Sequence, residues 1–539
     1  MSRHDAIIVG AGAGGGVAAG LLAEAGKRVL LLERGPDLSY GQLGRDHLRN
    51  QRLSRYGHNA GPDVEGNPRT LEDGRVVRPH ENGYQNNAAM VGSGTRVFGA
   101  RAWRFMPQDF RMASIYGVPG GSSLADWPIS YGDLEPWYEK VEWEIGVSGD
   151  HRAMTHLPPY RRPYPMPPLP HNAQAEAGLA GLRALGWNAL PIPQFINSMD
   201  YNDRPACVRC QHCVGFACPV DAKNGTRNTL IERALRSGNC ELRAGVMVER
   251  ILCDSGGRVK GVRWIDAAGV AGSAEAEVVI VSAGAVESAR LLLNSATARE
   301  PTGLGNRGDQ VGRHLQGHTN ANVRGIFPQP VMDNLGPGGG IGTCDFNHGN
   351  PGVIGGGIII DNLIVLPVIF WKSFTPPDLP RWGRAAKGFM RDRYRFVGEA
   401  KATIQEIPDP DARVTLDAKV RDRYGIPVAH LSGALHPDTL RAAEFMYGRA
   451  VAWWRAAGVK EIWGSRPSAG LSGGQHQAGT CRMGDDPETS VVDRWQRVHD
   501  HENLFVLDGS VHVTNGGFNP VLTILALAWR ATDRILAQW

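Results

Sequence analysis

Three apolar runs, each followed by a stretch with helical spacing, stand out along the chain. The pairs are residues 5–9 with 17–25, residues 277–282 with 286–294, and residues 503–507 with 521–529. A further apolar run, residues 28–32, follows the first helical stretch. Fully apolar strands that alternate with helices are typical of a parallel sheet covered on both faces. The pattern predicts an α/β fold whose sheet is assembled from both ends and the middle of the chain.

Segments rich in proline or glycine separate these elements. Proline is concentrated in residues 158–170 and 376–380, and glycine in residues 336–357. Such residues interrupt helices and strands and mark turns and loops. These segments fit insertions that form a second lobe beside the predicted parallel sheet.

The turn after the first apolar run has the spacing G-x-G-x-x-G, formed by Gly10, Gly12 and Gly15. In this arrangement the first glycine permits a tight turn, the second lets the backbone approach a pyrophosphate, and the third lets the helix pack closely on the strand. Glu33 ends the second apolar run, about 20 residues farther on, where an acid accepts hydrogen bonds from a ribose. Because strand, turn, helix and acid agree, the sequence predicts a dinucleotide-binding βαβ unit.

The composition is that of a folded protein, with 539 residues, 42% hydrophobic and 21% charged. Lys and Arg number 58 against 54 Asp and Glu, and neither sign forms a long block. The electrostatic footprint of a nucleic-acid-binding protein is therefore missing. We expect no nucleic-acid partner and a small-molecule substrate.

The only long uncharged stretch near the N-terminus, residues 6–23, is interrupted by six glycines and lacks the basic region and cleavage site of a signal peptide. The next candidates, residues 363–371 and 521–529, are about nine residues each, far short of the roughly 20 needed to span a bilayer. The glycine fingerprint also begins so early that it leaves no room for a targeting peptide. We therefore expect no membrane span and a cytoplasmic protein, unless a partner subunit exports it.

Several further segments resemble, in content and order, the glucose-methanol-choline (GMC) family of flavin oxidoreductases. They are residues 91–100 (VGSGTRVFGA), 279–290 (VIVSAGAVESAR), 311–315 (VGRHL), 476–480 (HQAGT) and 519–520 (NP). The resemblance runs from end to end of the chain, with gaps only in the insertions. Residues 103–105 (WRF) and 480–484 (TCRMG) are similar to bacterial sugar dehydrogenases of the gluconate and glucose type and to aminoglycoside-pathway alcohol dehydrogenases.

The resemblance implies an α/β fold, α+β overall, with an FAD-binding Rossmann-like domain and an interleaved substrate-binding domain built on an antiparallel sheet. The FAD-binding domain is expected to comprise residues 1–43, 78–150, 205–318 and 475–539. The substrate-binding domain is expected to comprise residues 44–77, 151–204 and 319–474.

The same resemblance implies FAD as cofactor and assigns a set of residues to its binding. They are Gly10, Gly12, Gly15, Glu33, Gly92, Thr95, Val97, Gly99, Val248, Gly284, Asp508, Gly509 and Pro520. Many family members attach the flavin covalently through a histidine in the segment that matches residues 91–100. Val97 occupies that position here. The flavin is therefore expected to be non-covalent and to be released on denaturation.

Two residues near the C-terminus match the catalytic positions of the family. His476 opens the H-x-x-G-T motif in a polar, glycine-rich loop, unlike a histidine on a helix face. The resemblance implies that it is the general base and a ligand of the substrate oxygen, against the alternative of a structural or surface histidine. Asn519 matches the second position, where a neutral amide can hold the alcohol oxygen but cannot take its proton. Its place before the final helix also fits an N-cap.

Four of the eight cysteines fall close together, at Cys207, Cys210, Cys213 and Cys218. Their spacing departs by one residue from the C-x2-C-x2-C-x3-C-P run of bacterial ferredoxins. Some membrane-associated sugar dehydrogenases of the GMC family carry an iron–sulfur cluster in this region, with a shorter final spacing. The aminoglycoside-type relatives share the spacing of Cys207, Cys213 and Cys218 without an obvious need for a cluster. An iron–sulfur cluster, free thiols, and zinc or a disulfide are the three hypotheses, and a cytoplasmic location argues against the disulfide.

The leading hypothesis is an FAD-dependent oxidoreductase that converts a hydroxyl of a sugar, glycoside or polyol-like substrate to a carbonyl. Hydride would pass to flavin N5 while His476 takes the hydroxyl proton and Asn519 holds the oxygen. Electrons would then leave to O2 or to an external carrier, and a small or electron-transfer subunit is a candidate partner. The alternatives are a flavin-retaining hydroxynitrile-type lyase, oxidation of an aromatic or aliphatic alcohol, and an NAD-dependent dehydrogenase.

Overall fold

The apolar runs from both ends and the middle of the chain meet in one sheet. The computed structural model describes residues 2–43, 66–84, 88–362, 365–472 and 475–539. The strands of the first sheet are β1 (Ser2–Val9), β2 (Val29–Glu33), β6 (Cys240–Ala244), β7 (Val246–Cys253), β8 (Val259–Asp266), β9 (Ala271–Val281) and β17 (Leu504–Val506). Their order is β6-β2-β1-β9-β8-β7, with β17 also paired to β9.

Five of these strands form a parallel sheet of the Rossmann type. β6, β2, β1, β9 and β17 run parallel, and β7 and β8 add an antiparallel hairpin to β9. Every residue of β2 is buried, which explains the unbroken apolar run in the sequence. Its helices are α1 (Ala13–Glu24), α4 (Tyr131–Val141), α6 (Leu230–Arg236), α7 (Ala285–Asn294) and α11 (Val521–Ala537). Helix α1 packs on α6 and α11, α11 packs on α4, and α7 packs on β7. The predicted α/β class is confirmed.

A second sheet is antiparallel throughout. Its strands are β5 (Leu190–Pro191), β10 (His318–Ile326), β11 (Ile341–Thr343), β12 (Gly357–Asp361), β13 (Val397–Gln405) and β16 (Glu461–Ser465), in the order β16-β10-β13-β12-β11-β5. Helices α5 (Ala173–Leu185) and α10 (Pro437–Ala456) pack against it. This sheet supplies the antiparallel component of the predicted fold.

The central strands of the second sheet have one apolar and one polar face. The apolar residues, packed with α10 in one core, are Ala321, Val323, Ala400, Ala402 and Ile404. The register pairs Asn320 with Thr403 and Asn322 with Lys401. Because successive side chains of a strand point to opposite faces, these four residues share the face turned away from α10. They are called the polar face below.

A third, smaller sheet packs on helix α7 of the Rossmann-type unit. Its strands are β3 (Arg69–Leu71), β4 (Val76–Val77), β14 (Arg413–Arg421) and β15 (Pro427–Ser432), in the order β14-β15-β3-β4. The remaining helices are α2 (Tyr40–Leu43), α3 (Met112–Tyr116), α8 (Pro367–Ser373) and α9 (Gly383–Asp392). Among the helices in the described part of the chain, none has both the length and the apolar character needed to cross a bilayer.

Candidate active site

A cavity runs from the carboxyl ends of β1 and β2 to the polar face of the second sheet. At one end it is lined by Gly10, Gly12 and Glu33, and at the other by His476 and Lys401. The carboxyl edge of a parallel sheet is where α/β folds bind nucleotides. The cavity therefore joins a nucleotide-type site to a site lined by polar side chains of a different sheet.

Nearly all of the residues predicted to bind the cofactor line this cavity. They are Gly10, Gly12, Glu33, Thr95, Val97, Gly99, Val248, Gly284, Asp508, Gly509 and Pro520. Gly15 and Gly92 do not line it. A Cβ on Gly15 would lie 1.9 Å from the carbonyl oxygen of Gly10, so Gly15 lets α1 pack on the strand before it. Gly92 has φ of +84° and its amide donates to Ala11 at 2.7 Å, which holds the 91–100 segment behind the cavity wall.

The N-terminus of α1 is suited to an anion. Gly12 is its N-cap residue, and no side chain caps the helix. A Cβ on Gly12 would approach only the Ser93 side chain, at 3.5 Å, so the backbone here borders open cavity. Uncapped amides at a helix N-terminus carry partial positive charge and bind phosphate groups. The residues present therefore fit a pyrophosphate.

Glu33 lies beside this helix end with both carboxylate oxygens held by backbone amides. Oε2 accepts from Ala11 at 2.9 Å and Oε1 accepts from Gly35 at 2.8 Å. Burial raises the pKa of Glu33, although these two donors act in the opposite direction. Each carboxylate oxygen has more than one lone pair, so Glu33 can still accept hydrogen bonds from the hydroxyls of a ribose.

A buried arginine–carboxylate cluster lies beyond Glu33; its members are Arg34, Arg69, Glu287, Arg290 and Asp422. Glu287 is 2.8 Å from Arg69 and 3.1 Å from Arg290, and Arg290 is 2.7 Å from Asp422. Burial opposes ionisation of Glu287, but the three arginine charges outweigh it and hold the pKa of that carboxyl well below its usual range. The cluster ties α7 to the third sheet at the nucleotide end of the cavity.

The two predicted catalytic residues meet at the other end. His476 Nε2 lies 3.3 Å from Asn519 Nδ2, and both residues line the cavity. His476 has φ of +70°, a left-handed conformation that is uncommon for residues other than glycine and is found at functional sites. The Asn515 side-chain amide donates to the His476 carbonyl at 2.7 Å and so holds this conformation.

The structure corrects one interpretation of Asn519. Pro520, not Asn519, is the N-cap residue of α11, and no side chain caps that helix. The Asn519 amide instead points at His476. An alcohol oxygen lying beside both nitrogens on the cavity side could donate its proton to the imidazole and accept a hydrogen bond from the amide.

Two further residues of the site were missed in the sequence. His318, the first residue of β10, places its Nδ1 2.9 Å from His476 Nδ1. Lys401, on β13, lines the cavity and is the only residue of that strand that is not fully buried. Both strands alternate polar and apolar residues, a signal for a half-buried strand. That signal does not reveal that His318 contacts a residue 158 positions away.

The cysteine loop lies behind the cavity wall formed by residues 97–99. The Gly215 amide donates to the Val97 carbonyl at 2.8 Å, and Lys223 Nζ donates to the carbonyls of Phe98 at 3.3 Å and Cys213 at 2.6 Å. Burial raises the pKa of the Cys213 thiol to about 12.

The structure addresses the disulfide and metal hypotheses for this loop. All eight cysteines are free, which corrects the disulfide alternative. Within the ranges that the structure describes, no three His, Cys, Asp or Glu side chains are arranged to hold a metal ion. Cys207, Cys210 and Cys218 nevertheless lie near enough to Cys213 to disfavour ionisation of its thiol, so the four cysteines are grouped in the structure as in the sequence.

Comparison with known proteins gives consistent matches along the chain. Profiles described as GMC oxidoreductase match residues 124–320 and 408–528, and a profile described as NAD(P)-binding Rossmann-like domain matches residues 8–65. The 6'''-hydroxyparomomycin C oxidase of Streptomyces lividus is 31% identical over 99% of this chain and 91% of its own length. The fructose dehydrogenase large subunit of Gluconobacter japonicus is 28% identical over 99% of this chain and 97% of its own.

A solved structure shows the same fold at low sequence identity. Pyridoxine 4-oxidase from Mesorbium loti superposes with a TM-score of 0.64 and 17% identity, with 99% of each chain covered. At this identity the likeness concerns the fold alone.

Proposed function

Because the chain belongs to the GMC oxidoreductase family, whose members act on CH–OH groups, we propose that it oxidises a hydroxyl of a sugar, glycoside or polyol-like substrate to a carbonyl, with FAD as the hydride acceptor. The observation that carries this proposal is the pairing of His476 with Asn519, 3.3 Å apart, where the cavity reaches the polar face. An imidazole base beside an amide donor is the donor–acceptor set that a reacting alcohol needs.

The nucleotide end supplies the contacts for FAD. The uncapped amides of α1 at Gly12 would hold the pyrophosphate, and Glu33 would accept from the ribose hydroxyls. When bound, the isoalloxazine ring supplies the acceptor for the substrate hydride. Val97 lines the cavity but offers no side-chain nucleophile, so we propose that the flavin is held non-covalently. Acid precipitation should then release the flavin into the supernatant.

His476 and Asn519 have different tasks in this scheme. The C–H bond of the substrate carbinol breaks, and its hydrogen and electron pair leave together as hydride. The hydroxyl proton passes to His476 Nε2, and the carbon and oxygen form a carbonyl. Asn519 has no proton to accept or release at neutral pH, so its Nδ2–H group holds the oxygen as charge develops.

The polar face favours a substrate with several hydroxyl groups. Lys401 and Thr403 line the cavity, and Asn320 and Asn322 lie beside them in the same register. An aliphatic or aromatic alcohol offers these side chains few hydrogen-bonding groups beyond its own hydroxyl. A sugar or polyol can pair with them. The names of two matched relatives, the 6'''-hydroxyparomomycin C oxidase and the fructose dehydrogenase large subunit, support a sugar-like substrate.

The cysteine loop bears on how electrons leave. All four clustered cysteines are free, and no three ligand side chains in the described part of the chain are arranged to hold a metal ion, so we propose a self-contained flavoenzyme whose clustered cysteines are thiols, with O2 or an external carrier as acceptor. Metal analysis of anaerobically purified protein should find iron near zero together with full dye-linked or O2-linked activity. About three to four irons per chain, with brown absorbance beyond the flavin bands, would show a cluster instead and favour an electron-transfer subunit as partner.

The test of the reaction is an anaerobic spectral screen. Sugars, glycosides, aminoglycosides, and aromatic and aliphatic alcohols are added to the purified protein while the flavin bands are recorded. We expect a sugar or polyol-like compound to bleach the flavin of the wild type, and the same compound to bleach that of His476→Ala about 10²-fold or more slowly. A flavin that stays yellow while a substrate is cleaved would indicate a lyase. A purified protein without flavin absorbance would indicate an NAD-dependent dehydrogenase.

A further inference from the structure

The proposed base is in contact with a second, fully buried histidine. His318 begins β10, and its Nδ1 lies 2.9 Å from Nδ1 of His476, with the ring centroids 5.0 Å apart. We propose that His318 is a positioning residue that fixes the tautomer of His476 so that its Nε2 is free of hydrogen and faces the substrate. This inference rests on the proposed role of His476 as base.

The hydrogen on His318 is located by its surroundings. Its Nε2 is 2.7 Å from the Gly516 carbonyl oxygen and 3.1 Å from the Asn515 carbonyl oxygen. Carbonyl oxygens only accept, so this nitrogen must carry a hydrogen and donate it. Burial lowers the pKa of His318 to about 4, which leaves the ring neutral at neutral pH. Its other nitrogen, Nδ1, is then an acceptor.

The tautomer of His318 determines the tautomer of His476. Since His318 Nδ1 can only accept, His476 Nδ1 must be the donor across the 2.9 Å contact. A neutral imidazole carries one hydrogen, so Nε2 of His476 has none and keeps its lone pair. That lone pair faces Asn519 Nδ2 at 3.3 Å, where an amide hydrogen can point at it. This series of hydrogen bonds leaves Nε2 of His476 as an acceptor that faces the cavity.

The groups around His318 keep it in its neutral form. Burial and the charge of Lys401 on β13 lower the pKa of this ring, and the carboxylate of Asp109 acts in the opposite sense. Asn515 links the segments that carry the two histidines. Its side-chain amide donates to the carbonyl of Gly317 at 3.1 Å and to the carbonyl of His476 at 2.7 Å. Both histidines are therefore held by the same asparagine.

Two substitutions separate tautomer control from simple anchoring. His318→Asn places an amide oxygen near the position of Nδ1 and keeps the acceptor for His476. His318→Gln places its amide nitrogen near the position of Nε2 and keeps the donor to the Gly516 carbonyl, but it offers His476 no acceptor. His318→Leu removes both. If His318 only anchored the 515–516 backbone, the Gln variant would be the better enzyme.

We expect the opposite order. In anaerobic stopped-flow experiments on the FAD-loaded proteins, the limiting rate of flavin reduction should fall about 10²-fold in the Gln and Leu variants, as for loss of general-base help. The Asn variant should stay within about fivefold of the wild type, the cost of one weakened hydrogen bond. The substrate concentration at half-saturation should change little, because Asn519 is intact. His430→Gln, on the third sheet, is the matched control and should reduce at the wild-type rate.

A second readout does not depend on turnover. In protein labelled with ring-15N histidine, we expect His476 to carry hydrogen on Nδ1 in the wild type and the Asn variant, and on Nε2 in the Gln variant. A Gln variant faster than the Asn variant, or a wild-type His476 protonated on Nε2, would overturn the inference. If no alcohol reduces the wild-type flavin, the proposed function fails, while the 15N spectra still decide the tautomer. Should the Leu variant not fold, the Asn and Gln pair is sufficient.

Discussion

The two ends of the cavity differ in whether their buried ionisable groups are charged. At the nucleotide end, Glu287 remains ionised at the centre of the arginine–carboxylate cluster, with its pKa held well below the usual range. At the substrate end, burial lowers the pKa of His318 to about 4 and raises that of Glu406 to about 7, which favours the uncharged form of both. Fixed ion pairs suit a surface that must not change during the reaction. Neutral groups suit a site through which a proton has to move.

The largest effect is expected from removing the proposed base. His476→Ala should slow anaerobic flavin reduction by about 10²–10⁴-fold, because the hydroxyl proton loses its acceptor. The bound FAD content should be unchanged, since the nucleotide end does not depend on this side chain. Stopped-flow absorbance and the flavin-to-protein ratio measure the two effects, with His430→Ala as control. Reduction at the wild-type rate would remove His476 from the mechanism.

A substitution of Glu406 tests whether burial raises the proton affinity of this carboxylate in the folded protein. Its carboxylate Oε2 accepts from the Gly317 amide at 2.7 Å. Its pKa is raised to about 7 by burial, so the stability it contributes is fully present below its ordinary pKa and is lost as pH rises through about 7. The difference corresponds to about 3 kcal/mol. Between pH 5 and pH 8 the wild type should therefore lose stability relative to Glu406→Gln.

Unfolding of the holoprotein at the two pH values measures this difference. Glu406→Gln serves as the control, because all other titrating groups are common to the two proteins and their contributions to the pH dependence cancel. Parallel stability profiles would mean that Glu406 does not change its proton affinity on folding.

At the nucleotide end, Glu33→Ala should weaken FAD binding by about 10–100-fold, the range for a hydrogen bond to a charged group. Glu33→Gln keeps one acceptor and should lie between the alanine variant and the wild type. Reconstitution of the apoprotein with FAD gives the dissociation constants. Equal affinity in all three proteins would contradict the ribose contact, whereas the rate of flavin reduction in fully loaded protein should not distinguish them.

The smallest effect is expected from the polar face. Lys401→Met removes a donor that lines the cavity and should raise KM for the best sugar or polyol about tenfold, with little change in kcat, as for an interaction made equally in ground and transition states. Lys260→Met, exposed on β8, is the control. A fall in kcat with unchanged KM would instead place Lys401 in the chemical step.

The same contrast separates what the sequence predicts from what it does not. The nucleotide end depends on backbone geometry. A Cβ on Gly10 would lie only 2.2 Å from the Ser282 carbonyl oxygen, so no residue other than glycine fits at this position. Such requirements restrict certain positions to glycine at a regular spacing. The βαβ unit and Glu33 could therefore be predicted from one short segment of the sequence. Helix α11 was foreseen from its apolar pattern, but its N-cap residue was not.

The substrate end is assembled by side chains that are far apart along the chain. His476 and Asn519 could be assigned only because they match motifs of a known family. His318 lies next to a quoted motif, yet its role depends on the Gly516 carbonyl and on a loop that begins more than 150 residues later. No spacing rule connects these segments, because the second sheet and the final helix bring them together only in the folded protein. The pairing of Asn322 with Lys401 has the same origin.

The two-faced sheet also limits how this enzyme can change over evolutionary time. Because the side-chain period of a strand is two, a single inserted or deleted residue in β10 or β13 would exchange the faces, turning Lys401 into the core and Ala402 toward the substrate. Inheritable changes of specificity in these strands must therefore come by substitution. Every second position can vary with little effect on the packing against α10. Substitutions on the polar face can therefore change substrate contacts while the apolar face keeps the strands packed on α10.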